Sequence, residues 1–294
     1  MMADKAPENY NPQLTEECKQ ALALLLSGLG DWAKSVVLIG GLTPEMLKAK
    51  APLARDYVGT EDVDLVLNLE ILANMEAYST IEHVLIAKDF QPIKKGGKAW
   101  QWEFKGLSGK PIRIDFLADI AGEQASKVVP VPDHGELAVC NIPHSSIVFD
   151  HLETATIAVE LPNDGGYIKV EIRYADIVGF TVLKILSFRN RGADKDAHDL
   201  IFSLENCGLA VAEIADRFVA ALGGPHAGVI RRALGLLAEI FTDEEGRAGY
   251  EKHGPAQAAR FERIVDREAR VLRQRNISGL ITELLSEIDR RKTD

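Results

Sequence analysis

The chain has 294 residues, of which 46% are hydrophobic and 27% are charged, and its formal net charge at pH 7 is -10. These proportions are those of an ordinary globular protein, so they exclude a largely disordered chain, and the length allows one large domain or two medium ones. The acidic balance argues against a protein that grips a long nucleic-acid duplex.

The sequence carries no sign of export or of a membrane anchor. The N-terminus is polar and contains proline, without a basic start followed by an apolar stretch, and no apolar run approaches the length of a membrane span. The three cysteines, Cys18, Cys140 and Cys207, form no CxxC pair, which argues against a disulfide framework or a thiolate metal site. We therefore expect a cytoplasmic protein with no membrane partner.

The first predicted elements surround a pair of glycines. Apolar residues at helical spacing predict an amphipathic helix from Leu14 to Leu29, and the run Ser35–Ile39 predicts a buried strand. That strand stops at Gly40 and Gly41, and the next residues favour a helix start at Thr43. Without a Cβ atom, the two glycines let backbone N–H groups approach phosphate oxygens beside a helix N-terminus. Taken alone, the pair is also typical of a structural turn.

A second predicted strand, Asp62 to Leu69, carries two carboxylates on one face. Asp62 and Asp64 alternate with apolar residues that face the core. Because two aspartates on one strand face repel each other, a compensating cation is expected, and hard divalent cations bind carboxylate oxygens. The i, i+2 spacing suits the bridging of two magnesium ions. A strand end with two solvated acids is the alternative, and the short pattern alone does not decide between them.

The rest of the chain predicts further strands and then only helices. We expect, in chain order, a helix over 70–88, a hairpin of strands Trp100–Phe104 and Pro111–Leu117, strands Thr154–Leu161 and Tyr167–Ile172 joined by a turn at 163–166, and helices from Ala175 onward broken at Gly192, Gly208, 223–225 and 254–255. This order predicts an α+β fold, with a mixed sheet and flanking helices followed by an all-helical part. We place an α/β domain at 1–172 and a helical domain at 173–294.

A third carboxylate lies in the second strand of the predicted hairpin. The apolar residues of this strand alternate with Arg113 and Asp115, which places those two on the face opposite the core. If this strand neighbours the earlier one, it could bring Asp115 beside Asp62 and Asp64. Three carboxylates on adjacent strands favour a metal site far more than a single DxD pattern does.

The ordered set of motifs resembles the nucleotidyltransferase fold of the polymerase-beta superfamily, and most closely the AbiEii-type nucleotidyltransferases, which include toxins of toxin–antitoxin systems. The motifs that carry the resemblance are residues 38–41 (LIGG), 58–65 (VGTEDVDL), 114–116 (IDF), and the helical pattern of 184–189 followed by 195–200 (KDAHDL). The resemblance spans roughly residues 35 to 205. Many superfamily members have Gly-Ser where this chain has Gly-Gly, and the stretch between Gly41 and Asp62 is longer than in minimal members.

The resemblance implies a magnesium-dependent enzyme that transfers NMP from an NTP to an acceptor hydroxyl, with tRNA or another structured RNA as acceptor and a cognate antitoxin protein as partner. The resemblance implies that Asp62, Asp64 and Asp115 hold two magnesium ions and that Asp115 also acts as a general base. It implies that Lys184 contacts phosphate and is catalytic together with the three aspartates. The nucleotide-binding residues that it implies are Gly40, Gly41, Thr60, Lys184 and Asp196. Arg189 and Lys195 are weaker candidates.

Other interpretations of the helical motif stay open. Lys184 could be a solvated helix lysine, although its neighbours in the sequence are apolar. Asp196 could simply favour a helix N-terminus, and Asp199 could pair with Lys195 four residues earlier. We interpret His198 as structural.

Two further features could bind nucleic acid or could be ordinary surface. The lysine-rich stretch 94–98 precedes Trp100 and Trp102, which form either a stacking surface or part of the core. Arg260, Arg263, Arg267 and Arg270 are predicted to share one helical stripe, interleaved with acids that also fit a salt-bridged surface helix.

Two other functions are compatible with these motifs. One is a nucleotidyltransferase that modifies a small molecule such as an antibiotic, or a protein. The other is a regulatory protein that binds a nucleotide without turnover, although the presence of all three carboxylates argues against it.

Overall fold

A computed structural model describes residues 11–48, 51, 55–68, 75–94, 97–130, 135–161 and 166–293. The predicted turn at 163–166 lies outside these residues except for Gly166, as do Lys95 and Gly96 of the lysine-rich stretch. Within the described ranges, no helix combines the length and the apolar character needed to cross a membrane.

The chain divides into two compact units, and only one of them contains the sheet. The sheet unit comprises Tyr10–Met46 and Val58–Asp176, and the helical unit comprises Leu47–Tyr57 and Ile177–Asp294. The predicted boundary at residue 172 thus lies four residues before the last residue of the sheet unit. The predicted domains also placed 47–57 with the sheet, whereas the described residues of this range cluster with the helices.

The described part of the sheet unit combines nine strands with flanking helices. In chain order its elements are α1 (Pro12–Leu29), β1 (Val36–Ile39), α2 (Thr43–Lys48, which ends just past the unit boundary), β2 (Asp62–Leu67), α3 (Met75–Ala87), β3 (Gln91–Pro92), β4 (Gln101–Lys105), β5 (Pro111–Ala118), β6 (Val128–Pro130), β7 (Ala138–Asn141), β8 (Leu152–Glu160) and β9 (Tyr167–Ala175). Short 3-10 turns occupy Gly30–Ser35, Gly40–Leu42 and Ser145–Phe149. The expectation of an α+β chain with a mixed sheet and flanking helices is confirmed.

The sheet order places β2 in the interior of the sheet. The strands follow the order β3-β4-β5-β2-β1-β9-β8, and β7 pairs with both β5 and β6. The pairs β2–β5, β1–β9 and β5–β7 are parallel, and the other pairs are antiparallel. Because β2 lies between β1 and β5, any polar side chain on it is flanked by side chains of two neighbouring strands.

The predicted strands are present with shifted ends. The hairpin β4–β5 is confirmed, and β8 pairs with β9 along its whole length, from Leu152 opposite Ala175 to Glu160 opposite Tyr167. The short strands β3, β6 and β7 were not predicted, because two to four residues are too few to show a period of two.

The helical unit contains α4 (Ile177–Arg191), α5 (Asp194–Asn206), α6 (Val211–Ala221), α7 (Ala227–Phe241), α8 (His253–Phe261) and α9 (Arg267–Thr293), with a 3-10 turn at Gly249–Glu251. The predicted all-helical C-terminal part is confirmed. The predicted break at 254–255 is wrong, since Gly254 and Pro255 form the first turn of α8. Proline is tolerated there because the first N–H groups of a helix have no intrahelical partner.

A break that was not predicted separates α8 from α9. Arg263 adopts a left-handed backbone with φ 53°, and its N–H donates to the carbonyl of Arg260 at 3.0 Å. Asp266 then caps α9 by accepting from the N–H of Ala269 at 2.7 Å. The predicted arginine stripe on a single helix is therefore wrong, because Arg260 and Arg267 lie on different helices. Glycine usually marks such a helix end, and its absence here concealed the break.

Candidate functional site

The strand register brings the predicted carboxylates together on the sheet. Asp64 on β2 lies directly opposite Asp115 on β5, and Asp62 lies opposite Arg113. The row through Asp64 and Asp115 continues to Ile39 on β1 and to Gln101 on β4. The expectation that a neighbouring strand places Asp115 beside the DxD pair is confirmed. Asp115 is buried, whereas Asp62 and Asp64 are partly exposed.

The two glycines pack directly against this group of acids. Gly40 has φ +71°, and a Cβ atom on it would lie 1.8 Å from Oδ2 of Asp64. A Cβ on Gly41 would lie 2.5 Å from the hydroxyl oxygen of Thr60. Glycine is therefore required at both positions because the backbone runs close to these polar groups, and at Gly40 also because of the positive φ.

Thr60 links the start of β2 to helix α1. Its backbone N–H donates to Oγ1 of Thr15 at 3.0 Å, and its hydroxyl donates to Oδ1 of Asp62 at 2.8 Å. The side chain predicted to bind nucleotide thus orients one of the predicted ligand carboxylates.

Arg113 bridges two of the three acids, which sequence reasoning did not predict. Its Nε donates to Oδ1 of Asp115 at 2.8 Å, and its Nη2 donates to Oδ2 of Asp62 at 2.7 Å. Gln101 donates through Nε2 to both oxygens of Asp115, at 3.2 Å each. The i, i+2 spacing of Arg113 and Asp115 was visible in the sequence, but the contact with Asp62 depends on the register between β5 and β2.

The site is electrostatically negative. Burial raises the pKa of the Asp115 carboxyl above its usual value, and the charge of Asp62 raises it further, although Arg113 and Gln101 act in the opposite direction. Burial also raises the pKa of the Cys18 thiol, with further increases from Asp62 and three other acids. Although burial lowers the pKa of Arg113, the surrounding aspartates raise it above its usual value, so the guanidinium stays charged.

The donor set of this site suits a hard divalent cation, but the side chains do not form a three-ligand cluster. Carboxylate oxygens are the ligands that magnesium prefers, and the register places three of these carboxylates on two adjacent strands. Across the described ranges, no three His, Cys, Asp or Glu side chains are grouped so as to hold a metal ion. Arg113 supplies the positive charge that contacts Asp62 and Asp115.

Lys184 and Asp196 belong to a second polar cluster, in the helical unit. The Nζ atom of Lys184 on α4 lies 3.2 Å from Oδ1 of Asp196 and 3.2 Å from Oδ2 of Asp199, both on α5. The Lys184 side chain is 8% exposed. The interpretation of Lys184 as a solvated surface lysine is therefore wrong. Lys195 pairs with Asp199 at 2.9 Å, as its spacing suggested.

The same cluster contains two groups that the sequence did not reveal. Arg191 donates to both oxygens of Asp196, at 2.5 and 2.6 Å. Tyr57 donates its hydroxyl proton to Oδ1 of Asp199 at 2.8 Å and accepts from Nζ of Lys195 at 2.8 Å. Tyr57 is more than a hundred residues from α5 in the sequence, so no local pattern could predict this contact.

The charges in this cluster stabilise one another. Burial by itself would raise the pKa of both aspartates, but the neighbouring cations lower the pKa of Asp196 and of Asp199 below the usual value. Burial would likewise lower the pKa of Lys184, but the two aspartates raise it. Lys184, Arg191 and Lys195 each contact at least one of these two aspartates. Arg191, with a side chain 63% exposed, carries positive charge to the surface.

The remaining predicted features divide between core and surface. Trp102 is buried and donates to the carbonyl of Ala99 at 3.3 Å, so it belongs to the core, as the alternative interpretation had it. Lys94 pairs with Glu136 at 2.8 Å. Arg189 pairs with Glu239 on the surface, at 3.2 Å. His198 packs against Phe261, with ring centroids 4.7 Å apart, which fits a structural role.

The carboxylates line neither of two cavities found within the units. One of about 790 Å³ in the sheet unit is lined by residues such as Leu24, Asp89 and Gly106, and none of the predicted site residues lines it. The other, of about 450 Å³ in the helical unit, is lined by Arg260, Arg263, Ile264, Val265, Arg270 and Gln274 with Ala256 and Ala259.

Comparison of the chain with family models, with curated proteins and with solved structures found no match. The resemblance to AbiEii-type nucleotidyltransferases therefore rests on the ordered motifs alone.

Proposed function

We propose that this protein is a metal-dependent nucleotidyltransferase that moves NMP from an NTP to an acceptor hydroxyl. The observation that carries the proposal is the register of Asp64 opposite Asp115, with Asp62 on the same strand face and the Gly40 backbone against the Asp64 carboxylate. Three carboxylates beside a glycine turn suit a triphosphate with its cations. Asp62, Asp64 and Asp115 would hold magnesium, which when bound would supply positive charge to the phosphate oxygens.

The chain's own residues account for the rest of the chemistry. The acceptor oxygen forms a bond to the α-phosphorus, the bond from that phosphorus to the bridging oxygen breaks, and pyrophosphate leaves. The proton of the acceptor hydroxyl passes to the carboxylate of Asp115. Gln101 orients that carboxylate by donating to both of its oxygens.

Phosphate binding is also supported by the cluster around Lys184. The lysine and aspartate side chains of this cluster are held in place by several hydrogen bonds. Cationic side chains fixed in this way suit a ligand on which negative charge accumulates during phosphoryl transfer. We propose RNA as the acceptor class because the resemblance implies it, and because a cavity of the helical unit is lined by three arginines, a residue type that commonly contacts phosphates.

The test uses purified full-length protein, magnesium, each α-labelled NTP and total RNA. We expect label on RNA with the wild type and at least a hundredfold less with Asp64→Asn. Asp31→Asn is the matched control, because it removes an exposed carboxylate of the same unit that pairs with Lys34 on the surface. Label on the protein or on an added small molecule would show that the acceptor is that molecule and not RNA. Nucleotide binding without any transfer would indicate a regulatory protein, and full activity of folded Asp64→Asn would reject the site.

A further inference from the structure

Arg113 occupies a position in the carboxylate site that a metal ion would have to share. Its guanidinium spans from Asp115 on its own strand to Asp62 on the neighbouring strand, at 2.8 and 2.7 Å. The Asp115 side chain is 7% exposed, whereas Arg113 is 40% exposed. The arginine therefore extends from a partly exposed position to a buried carboxylate.

The register of the sheet produces this arrangement. Arg113 and Asp62 are direct partners across the β2–β5 ladder, and Arg113 and Asp115 lie two residues apart on one face of β5. Opposite charges at such positions attract each other, and an arginine fork can satisfy two carboxylates at once. Asp115 also accepts from Gln101 on its other side, so its oxygens are already occupied by N–H donors.

These contacts conflict with direct coordination of a cation by the same oxygens. Magnesium requires near-octahedral geometry at about 2.0–2.1 Å and gives up its water reluctantly, so it competes poorly for oxygens that already accept charged hydrogen bonds. The fixed positive charge of Arg113 further disfavours a second cation close by. A triphosphate changes this balance, because its oxygens offer the guanidinium another set of anionic partners.

We propose that Arg113 acts as the cation of the nucleotide-free site, so that divalent cations bind tightly only together with an NTP whose phosphates take over the guanidinium. This inference rests on the proposed function. By linkage, the factor by which nucleotide tightens cation binding equals the factor by which the cation tightens nucleotide binding. Arg113 is thus a positioning residue that couples the two ligands.

The test measures Mn²⁺ binding to the full-length protein by the electron paramagnetic resonance of the free ion. Titrations are made without nucleotide and with each of the four α,β-methylene NTPs, so no turnover is involved, and the Mn²⁺ that each analogue binds without protein is measured and subtracted. We expect the wild type to bind Mn²⁺ at least tenfold more tightly with its preferred analogue. Arg113→Gln should bind Mn²⁺ at least tenfold more tightly than the wild type without nucleotide and should show a smaller gain from the analogue.

Two further variants keep the test decisive. Arg173→Gln removes the same charge from β9 in the same unit, where Arg173 donates to the carbonyl of Lys34, and it should behave as the wild type. Arg113→Lys keeps the charge but lacks the fork, so its Mn²⁺ affinity without nucleotide should rise by a smaller factor, and it replaces Arg113→Gln if that variant does not fold.

The outcomes separate this inference from the proposed function. Equal or weaker Mn²⁺ binding by the folded Arg113 variants would show that Arg113 is only a structural ion pair, and the proposed function would stand. A lack of Mn²⁺ binding in every variant, with and without analogue, would overturn both.

Discussion

The backbone of Gly40 runs so close to the side chain of Asp64 that a Cβ atom on the glycine would lie 1.8 Å from the carboxylate oxygen Oδ2. Gly109 provides a contrast within the same unit. Its φ of +76° is close to the +71° of Gly40, but a Cβ there would have nothing within 4 Å. The pair separates the cost of a left-handed backbone from the cost of displacing Asp64.

We predict that Gly40→Ala impairs both stability and nucleotide transfer, whereas Gly109→Ala shows only the backbone cost of about 1–2 kcal/mol. Because Asp64 must move to make room for the new Cβ atom, Gly40→Ala should lower the free energy of unfolding by more than this backbone cost. It should also lower the transfer rate at least a hundredfold. Urea unfolding followed by tryptophan fluorescence reports on the sheet unit, which contains Trp32, Trp100 and Trp102. Equal behaviour of the two variants would show that the close contact has no role.

Lys184 should prove essential to the stability of the helical unit. Removing one partner from a buried ion cluster leaves uncompensated charge, which typically costs about 3–5 kcal/mol. We therefore expect Lys184→Met to lower the free energy of unfolding by about 3–5 kcal/mol. Arg189→Met on the same helix removes a half-exposed pair with Glu239 and should cost less than about 1 kcal/mol. Far-UV circular dichroism in urea measures both.

A second measurement tests the predicted phosphate contact of Lys184. Lys184→Arg keeps the positive charge in the cluster, but a planar fork replaces the compact ammonium group. If the variant is stable and binds NTP at least tenfold more weakly than the wild type, Lys184 contacts phosphate. Unchanged NTP affinity would leave it with a structural role alone.

Acid should weaken the helical unit partly through Glu262. Burial would raise the pKa of this carboxyl, but the adjacent His198 and Arg273 lower it from 4.5 to about 2. A group with a lowered pKa contributes stability above its unfolded value of 4.5, and this contribution is lost as the pH falls from 4.5 towards 2. Allowing for solvent screening, we expect this carboxylate to contribute about 2 kcal/mol to the free energy of unfolding at pH 7.

Glu262→Gln should therefore be less stable than the wild type at pH 7, and the difference should shrink steadily below pH 4.5. Urea unfolding followed by far-UV circular dichroism at several pH values measures this. Glu283→Gln removes an exposed carboxylate from α9 and should follow the wild-type curve. A constant offset between Glu262→Gln and the wild type at every pH would contradict the prediction.

The cavity of three arginines should contribute to RNA binding if RNA is the acceptor. We predict that the double variant Arg263→Gln, Arg270→Gln weakens RNA binding and lowers the slope of log affinity against log salt by about 2, since each neutralised phosphate releases counterions. The change Arg231→Gln, Arg232→Gln removes two exposed arginines of α7 and serves as the control. Filter binding at several salt concentrations measures both, and equal slopes would remove the cavity from the proposal.

Local patterns predicted the candidate site well where strand alternation decided the geometry. Alternation placed Asp62, Asp64 and Asp115 on one face, and the parallel register then set Asp64 opposite Asp115. The bridge from Arg113 to Asp62 was not predictable, because it depends on which residue of β5 faces which residue of β2. The contact of Tyr57 with Asp199 was not predictable either, because the two residues lie more than a hundred positions apart in the sequence.

The sequence failed most clearly where a helix ended without a usual signal. The spacing predicts one stripe that contains Arg260 and Arg267, because it continues through 262–266, yet Arg263 turns the chain with a positive φ. Non-glycine residues adopt this conformation infrequently, so the end of α8 had no marker. Charge spacing alone cannot distinguish a continuous helix from two helices separated by a short turn.

The hydrogen bond between Tyr57 and Asp199 has a consequence for dissecting the protein. The chain leaves the sheet unit after Met46, contributes Leu47–Tyr57 to the helical unit and returns to the sheet unit at Val58. Dividing the chain at residue 172 or 176 would therefore separate Tyr57 from the carboxylate it donates to. Expression of either half alone should give material prone to proteolysis, and a protease cut near residue 176 should leave two fragments that still co-purify.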